Sequence, residues 1–332
     1  MDPILSTISL RDCATALLDL VMPRHCVVCR RPLGLRERFI CLDCQAGFPF
    51  THFWSRSHNP MADKFNALIQ RDLDDSALSA PPSPASSSSA SPAASPASAS
   101  SDTGSPGPGA PRPSDCPPRE PYAVASALFF YNADSGYRRI PWHLKYEGGL
   151  AAGRHFARLL GARLAASPQF ADVDVVIPVP LHWTRRWRRG YNQAEVIARE
   201  LADVLGAELR TDILRRARRT SSQVRLPVEA KASNVRGAFA LRRNLRAFPA
   251  GCARKRRDLR EFPARYTQNT RNLREKPAGY GAKAPDSVVH VLLVDDTFTT
   301  GSTLNACRAM LRQAFPLPVR ISVATLAFVS SD

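Results

Sequence analysis

Asp295 and Asp296 stand side by side after an apolar run, Val291-Leu-Leu-Val294, and are followed by Thr297, Phe298, Thr299, Thr300, Gly301, Ser302 and Thr303. The run is apolar at every position, which suits a strand buried on both faces, and in open α/β sheets the ligand crevice lies beyond the carboxyl ends of such strands. Two adjacent carboxylates can accept hydrogen bonds from a ribose diol. The short side chains and the glycine let backbone N–H groups turn inward on a phosphate at the start of a helix. Leu304, Cys307 and Leu311 give that helix an apolar face. An ordinary strand, turn and amphipathic helix shares this outline, but paired acids followed by Thr-Thr-Gly-Ser-Thr are much less common.

A second chemistry lies near the amino terminus, where Cys26-x-x-Cys29 and Cys41-x-x-Cys44 are separated by eleven residues. Each pair can place two thiolates on one ion, and two pairs complete the four-sulfur shell that structural zinc prefers. Disulfides or a redox pair are the competing readings, and a cytosolic chain disfavours disulfides. A closed four-sulfur site has no open position for substrate, so the expected role is structural. His25 lies beside the first pair and is read as a bystander, and Cys13, Cys116, Cys252 and Cys307 as ordinary thiols.

These residues must be positioned by a chain of 332 residues with 44% hydrophobic content, enough for a sizeable core. Residues 1–22 read as an amphipathic amino-terminal helix, with Ile4, Ile8, Ala14, Leu17, Leu18 and Val21 on its apolar face and Pro23 as its stop. Residues 23–55 form the four-cysteine ribbon. Residues 79–120 are almost wholly Ser, Ala, Pro and Gly, too poor in apolar surface to offset the entropy of ordering, and are expected to be a disordered linker. No membrane or export signal is read at the amino terminus, since Asp2 replaces the basic start and Arg11 and Asp19 interrupt the apolar stretch; no membrane insertion and a cytoplasmic location are expected.

After the linker, residues 124–131 and 173–179 suit strands, residues 137–146 a short helix carrying His143 and Lys145, and residues 151–166 a longer helix. The strand at 173–179 leads into Pro180, Leu181 and His182 and then the basic segment Arg185-Arg-Trp-Arg-Arg-Gly190, either a solvated face or a source of positive charge for a diphosphate. Asn192 as N-cap, Glu195 three residues on, apolar Ala194, Ile197, Leu201 and Leu205, and Gly206 as the stop mark the next helix. With a last strand at 319–328, the alternation predicts an α/β fold, a mainly parallel sheet flanked by helices over residues 122–330. Residues 242–286 interrupt it as a basic insertion of 13 Lys or Arg against 4 Asp or Glu, within a chain of net charge +17.

The acidic loop resembles the 5-phosphoribosyl-1-diphosphate (PRPP) motif of type I phosphoribosyltransferases. The ordered set His143-Leu-Lys-Tyr146, Ile177-Pro-Val-Pro-Leu-His182, Arg189-Gly-Tyr-Asn-Gln-Ala194, Arg219-Thr220 with Gln223, Asn234 and Gly237-Ala-Phe239, together with the four cysteines, resembles the ComF (competence protein, GntX-like) family. That resemblance covers about residues 14–50 and 122–330 and implies a zinc ribbon joined to a type I phosphoribosyltransferase domain, with a link to DNA uptake. It implies that Asp295 and Asp296 hold the ribose hydroxyls and act as the catalytic pair. Thr297, Thr299, Thr300, Gly301, Ser302 and Thr303 would hold the 5-phosphate, and Val179, Pro180, Leu181 and His182 the diphosphate. Mg²⁺ would bridge ribose and diphosphate oxygens, and a structural Zn²⁺ would sit on Cys26, Cys29, Cys41 and Cys44. Arg219, Gln223 and Lys231 are candidates for a mobile hood, although a surface hairpin explains them too.

Departures from the pattern narrow the expected chemistry. Enzymes acting on 6-oxopurines carry a carboxylate where Thr299 stands, so purine salvage is disfavoured and the nitrogen acceptor is not named. Lys231 stands where relatives often have Arg, keeping charge and losing the planar fork. Three function classes follow: a phosphoribosyltransferase of unknown acceptor, a non-catalytic DNA-uptake factor binding single-stranded DNA or competence proteins, and a partner-binding scaffold. Trp183, Trp187, Tyr191 and Tyr266 among basic residues suit stacking on single-stranded bases.

Overall fold

The computed structural model describes residues 10–78, 121–218, 237–242, 288–314 and 319–329. The linker at 79–120, almost all of the basic insertion and the hood candidates Arg219, Gln223 and Lys231 lie outside the described residues. Residues 1–69 and 123–332 belong to one compact unit and residues 70–122 to a second. In the second, Gln70 Nε2 donates to Asp74 Oδ1 at 2.9 Å, an i,i+4 pair on the last turns of a helix.

The larger unit is built on a five-stranded sheet in the order β1-β7-β6-β2-β3, every pairing parallel. Its strands are β1 (Ala125–Tyr131), β2 (Val175–Pro178), β3 (Glu208–Leu209), β6 (Val289–Phe298) and β7 (Val319–Val329). A separate antiparallel ribbon pairs β4 (Leu214–Arg216) with β5 (Phe239–Leu241). The apolar runs are explained by burial: Val291 to Val294 and Val175 to Ile177 are almost inaccessible, as parallel strands covered on both faces should be. The acids do not lie beyond their strand as expected. β6 continues through them to Phe298, because β7 is long enough to pair alongside, with Asp295 opposite Thr325 and Phe298 opposite Phe328.

Helices α5 (Leu150–Ala165) and α7 (Gln193–Leu205) pack on each other and against strands of the sheet. Gly161 lets them approach, since a Cβ there would stand 3.0 Å from Val204 Cβ. The end of α7 is as expected, with Gly206 left-handed at φ 67°. Its start is not. Asn192 occupies the N-cap position without capping, because its buried side-chain amide donates to the Val179 carbonyl at 3.0 Å, and Glu195 pairs instead with Arg186 and Arg199 at 3.2 and 3.5 Å. Helix α8 (Ser302–Ala314) buries the expected face, Leu304, Cys307 and Leu311, and packs against β6, β7 and the β4–β5 ribbon.

The amino-terminal segments contribute to the same unit. Helix α1 (Leu10–Val21) ends with Leu17, Leu18, Leu20 and Val21 largely exposed. After the short α2 (Leu42–Ala46), residues 49–51 run antiparallel to β1, with Phe130 N–H donating to Pro49 O at 3.1 Å and Thr51 N–H to Leu128 O at 3.2 Å. Helix α3 (Pro60–Leu78) starts at Asn59, whose side chain accepts from Ala62 N–H at 2.9 Å and donates to Ala125 O at 3.0 Å. Asn66 is bonded both ways to Ala123, at 2.9 Å each, imitating one more backbone partner for the chain entering β1. Cys26, Val28, Ile40, Phe48 and Trp54 join Phe129, Ile140, Leu144 and Phe156 in one continuous core, so the cysteine element is built onto the sheet.

Candidate functional site

Parallel neighbours bring the expected site residues to one edge. Pro178 of β2 lies opposite Val294 of β6, so Val179 to His182 leave the sheet beside Asp295 and Asp296. The turn is fixed by backbone: Val179 N–H donates to Val294 O at 2.8 Å, and Asn192 holds Val179 O. His182 is buried, and its Nδ1 lies 2.8 Å from Thr184 Oγ1 and 3.3 Å from Thr184 N, capping α6 (Trp183–Arg189). The basic segment is therefore a helix. It leaves Trp183 and Trp187 exposed, one turn apart, while Arg189 covers the Tyr146 ring at 5.0 Å.

On the other side of the acids, the chain turns at Thr299 to Gly301 into α8. Thr300 Oγ1 lies 3.0 Å from Ser302 Oγ, and Asn305 N–H donates to Gly301 O at 2.9 Å, the first bond of the helix. Gly301 has φ 80°, which favours glycine, and it is closely confined: a Cβ would come 2.7 Å from Phe298 Cζ and 3.0 Å from Leu68 Cδ1. The half-buried Thr299, Thr300, Ser302 and Thr303 surround the N–H groups of a helix start, a favourable place for an anion, with Ser302 N–H 3.5 Å from Thr300 Oγ1.

The two acids are not equivalent. Lys145 Nζ lies 2.6 Å from Asp296 Oδ2. Burial opposes the charge on this lysine, but Asp296, aided by Asp295, outweighs it and raises the lysine's pKa. Asp295 accepts Asp296 N–H at 2.8 Å, and burial followed by the neighbouring Asp296 charge pushes its pKa up to about 7. Arg216, on β4, also feels this pair: burial and then Arg185 lower its pKa, and Asp295 opposes them. Lys145 was visible in sequence only as part of a short helix and of the family motif, and Arg216 was not singled out. Spacing announces neither the Lys145 contact nor the charge of Arg216 near Asp295, because both residues come from distant parts of the chain.

The four cysteines form a second centre. Their sulfurs all lie within 4.8 Å of one another, and Cys29 and Cys41 are 3.7 Å apart. Four sulfurs at a Zn–S distance of about 2.3 Å would be separated by roughly 3.8 Å, so these residues fit a tetrahedral ion. His25 pairs across the turn with Pro32. Arg30, after Cys29, takes φ 67°, which closes the first knuckle, and its N–H donates to Cys26 O at 2.9 Å. Arg31 Nη2 lies 3.3 Å from Cys41 Sγ, and this contact, followed by backbone donation from Cys44, lowers the Cys41 pKa to about 6. Burial and then neighbouring thiols push Cys44 the other way.

One further cluster has the outline of a hydrolytic triad. His290 Nδ1 lies 2.7 Å from Asp172 Oδ1 and its Nε2 2.8 Å from Ser322 Oγ. Both Ser322 and His290 are sealed from solvent near the amino ends of β6 and β7, away from the acid pair. The trio ties strands together and has no room for a substrate.

No protein-family model matches the chain. It is similar to competence protein F of Haemophilus influenzae, 31% identical over 172 residues, which are 51% of this chain and 58% of that protein. It is also similar to DNA utilization protein YhgH of Salmonella typhi, 26% identical over 131 residues, 40% of each chain. The same-named protein of Escherichia coli K12 is 32% identical over 68 residues, 20% of this chain and 30% of that one. The chain thus spans about half the length, or less, of the curated relatives it matches. The chain has a parallel α/β sheet and a four-cysteine cluster, and over the matched stretches it is similar to these competence and DNA-utilization proteins.

Proposed function

We propose that the site at the carboxyl ends of β2 and β6 binds PRPP and that the chain acts in DNA uptake or use. The observation that carries the reading is the meeting of an acid pair, a helix start rich in hydroxyls and the Val179 to His182 turn on one sheet edge. Each part suits a different piece of the ligand. Asp295 and Asp296 accept the ribose hydroxyls, the N–H groups of 299–303 receive the 5-phosphate, and residues 179–182 turn beside the diphosphate, with Arg185 and Arg216 supplying positive charge.

For transfer to a nitrogen acceptor, the bond between the anomeric carbon and diphosphate breaks as the acceptor's lone pair forms the new C–N bond. Positive charge develops on the sugar, and the fixed carboxylates stabilise it. Lys145 pairs with Asp296 and holds it in place. Asp295 and Asp296 would hold Mg²⁺, which would supply positive charge to offset that of the leaving diphosphate.

The test is stabilisation by ligand. PRPP with Mg²⁺ at about 100 times its Kd should stabilise the protein by about 2.7 kcal/mol, against less for ribose 5-phosphate or diphosphate at the same concentration. Equal shifts from all three would indicate a generic anion site and count against the reading.

A second reading, single-stranded DNA, is favoured by α6. Trp183 and Trp187 are exposed at one-turn spacing on a helix with four arginines, which suits bases stacked on indoles and phosphates paired with guanidiniums. Trp187→Ala should weaken single-strand binding in a gel-shift titration and leave PRPP binding intact.

A further inference from the structure

The helix that carries Lys145 is tied at both ends to the cysteine knuckles. Helix α4 (Arg139–Tyr146) has eight residues, too few to hold its own shape in water, so its position comes from its contacts. In the turn before it, Tyr137 Oη donates to the Cys44 carbonyl at 2.8 Å. At its first residue, Arg139 Nη1 donates to the carbonyl of Val28, between Cys26 and Cys29, at 2.6 Å. Just past its last residue, Glu147 pairs with Arg30, which follows Cys29, at 3.1 Å. Ile140 and Leu144 are buried in the shared core, leaving Lys145 directed at Asp296.

We propose that α4 is a lever through which the metal-bound knuckles position Lys145 against Asp296. The carbonyls of Val28 and Cys44 and the backbone of Arg30 belong to segments whose conformation is set by thiolates converging on one ion. Withdrawal of the ion lets those segments relax, and the helix loses its outer supports together. The cysteine element, remote in sequence from the acid pair, thereby sets the electrostatics of that pair. Lys145 is a positioning residue in this arrangement, and its displacement leaves two adjacent carboxylates without their counter-ion.

The experiment reads Lys145 directly and needs no phosphoribosyl ligand. The full chain is labelled with a trace of acetic anhydride, and the Lys145 rate is measured by mass spectrometry relative to Lys64 on α3. Three samples are compared: zinc-loaded protein, chelated protein, and a Tyr137→Phe/Arg139→Ala variant kept in saturating zinc. Lys145 should label several-fold faster in the last two, because an ammonium seated against Asp296 is shielded from the reagent and a released one is not. The double variant decides the matter if chelation unfolds the chain, since it keeps the cysteines and the metal. Unchanged Lys145 labelling in that variant, with zinc bound, overturns the proposal.

Discussion

Gly301 is pressed against Phe298, the last residue of β6, so closely that an added Cβ would stand 2.7 Å from the ring. The strand's end and the helix's start are thereby locked to one another, and the N–H groups of α8 are aimed by packing. Gly301→Ala should cost about 2 kcal/mol through overlap and a left-handed φ. That corresponds to a fall of about 4–8 °C in the melting temperature, read by circular dichroism.

Asp295 is kept at the expense of stability. Its pKa is raised from 3.8 to about 7, so the folded state binds its proton more tightly than the unfolded chain does. The contribution of Asp295 is therefore fully present below about pH 4 and is lost as pH rises from about 4 to 7. Asp295→Asn should flatten that fall and raise the urea midpoint at pH 8 above that of the parent, while PRPP binding is lost. A midpoint lower than the parent's at pH 8 would contradict the burial argument.

The half-buried Asp172, with the buried His290 and Ser322, gives the opposite pH signature. His290 hydrogen bonding and charge, with Arg320, outweigh burial and hold Asp172 at a pKa of about 2, so its contribution is present above pH 4 and lost as pH falls toward 2. Burial lowers His290, whose contribution is complete above its ordinary value of 6.5 and declines below it. Asp172→Asn should cost about 1–2 kcal/mol at pH 7 and remove the part of the acid dependence between pH 4 and 2 that this carboxylate supplies. Ser322→Ala should leave PRPP binding unchanged, because Ser322 lies near the amino end of its strand, away from the acid pair.

Because Cys26, Val28 and Ile40 share a core with Phe129 and Phe156, the cysteine element should not melt by itself. Cys26→Ser should lower the melting temperature of the whole larger unit as one transition, followed by calorimetry. An early separate transition with the main one unmoved would show two independent folding units.

Several parts of this arrangement were legible from the chain alone. The knuckle spacing reports metal geometry directly, and the apolar runs at 173–179 and 291–294 report strands covered on both faces. Helix α3 was missed although its signals are present: Asn59 before Pro60 is an N-cap followed by a favoured first residue, and Met61, Phe65 and Ile69 recur at helical spacing. The Asn192 cap failed because a tertiary acceptor, the Val179 carbonyl, competed for the side chain. Lys145 and Asp296 meet only through the stacking of α4 on the sheet, which local pattern does not encode.

The acid pair is tested most directly by isothermal titration of the zinc-loaded full chain with PRPP and Mg²⁺, beside an Asp295→Ala/Asp296→Ala variant checked for retained fold. The expected result is saturable binding by the parent at one site per chain and none by the variant. Absence of binding by the parent, or equal binding by both, would contradict the assignment of the acid pair to the ribose.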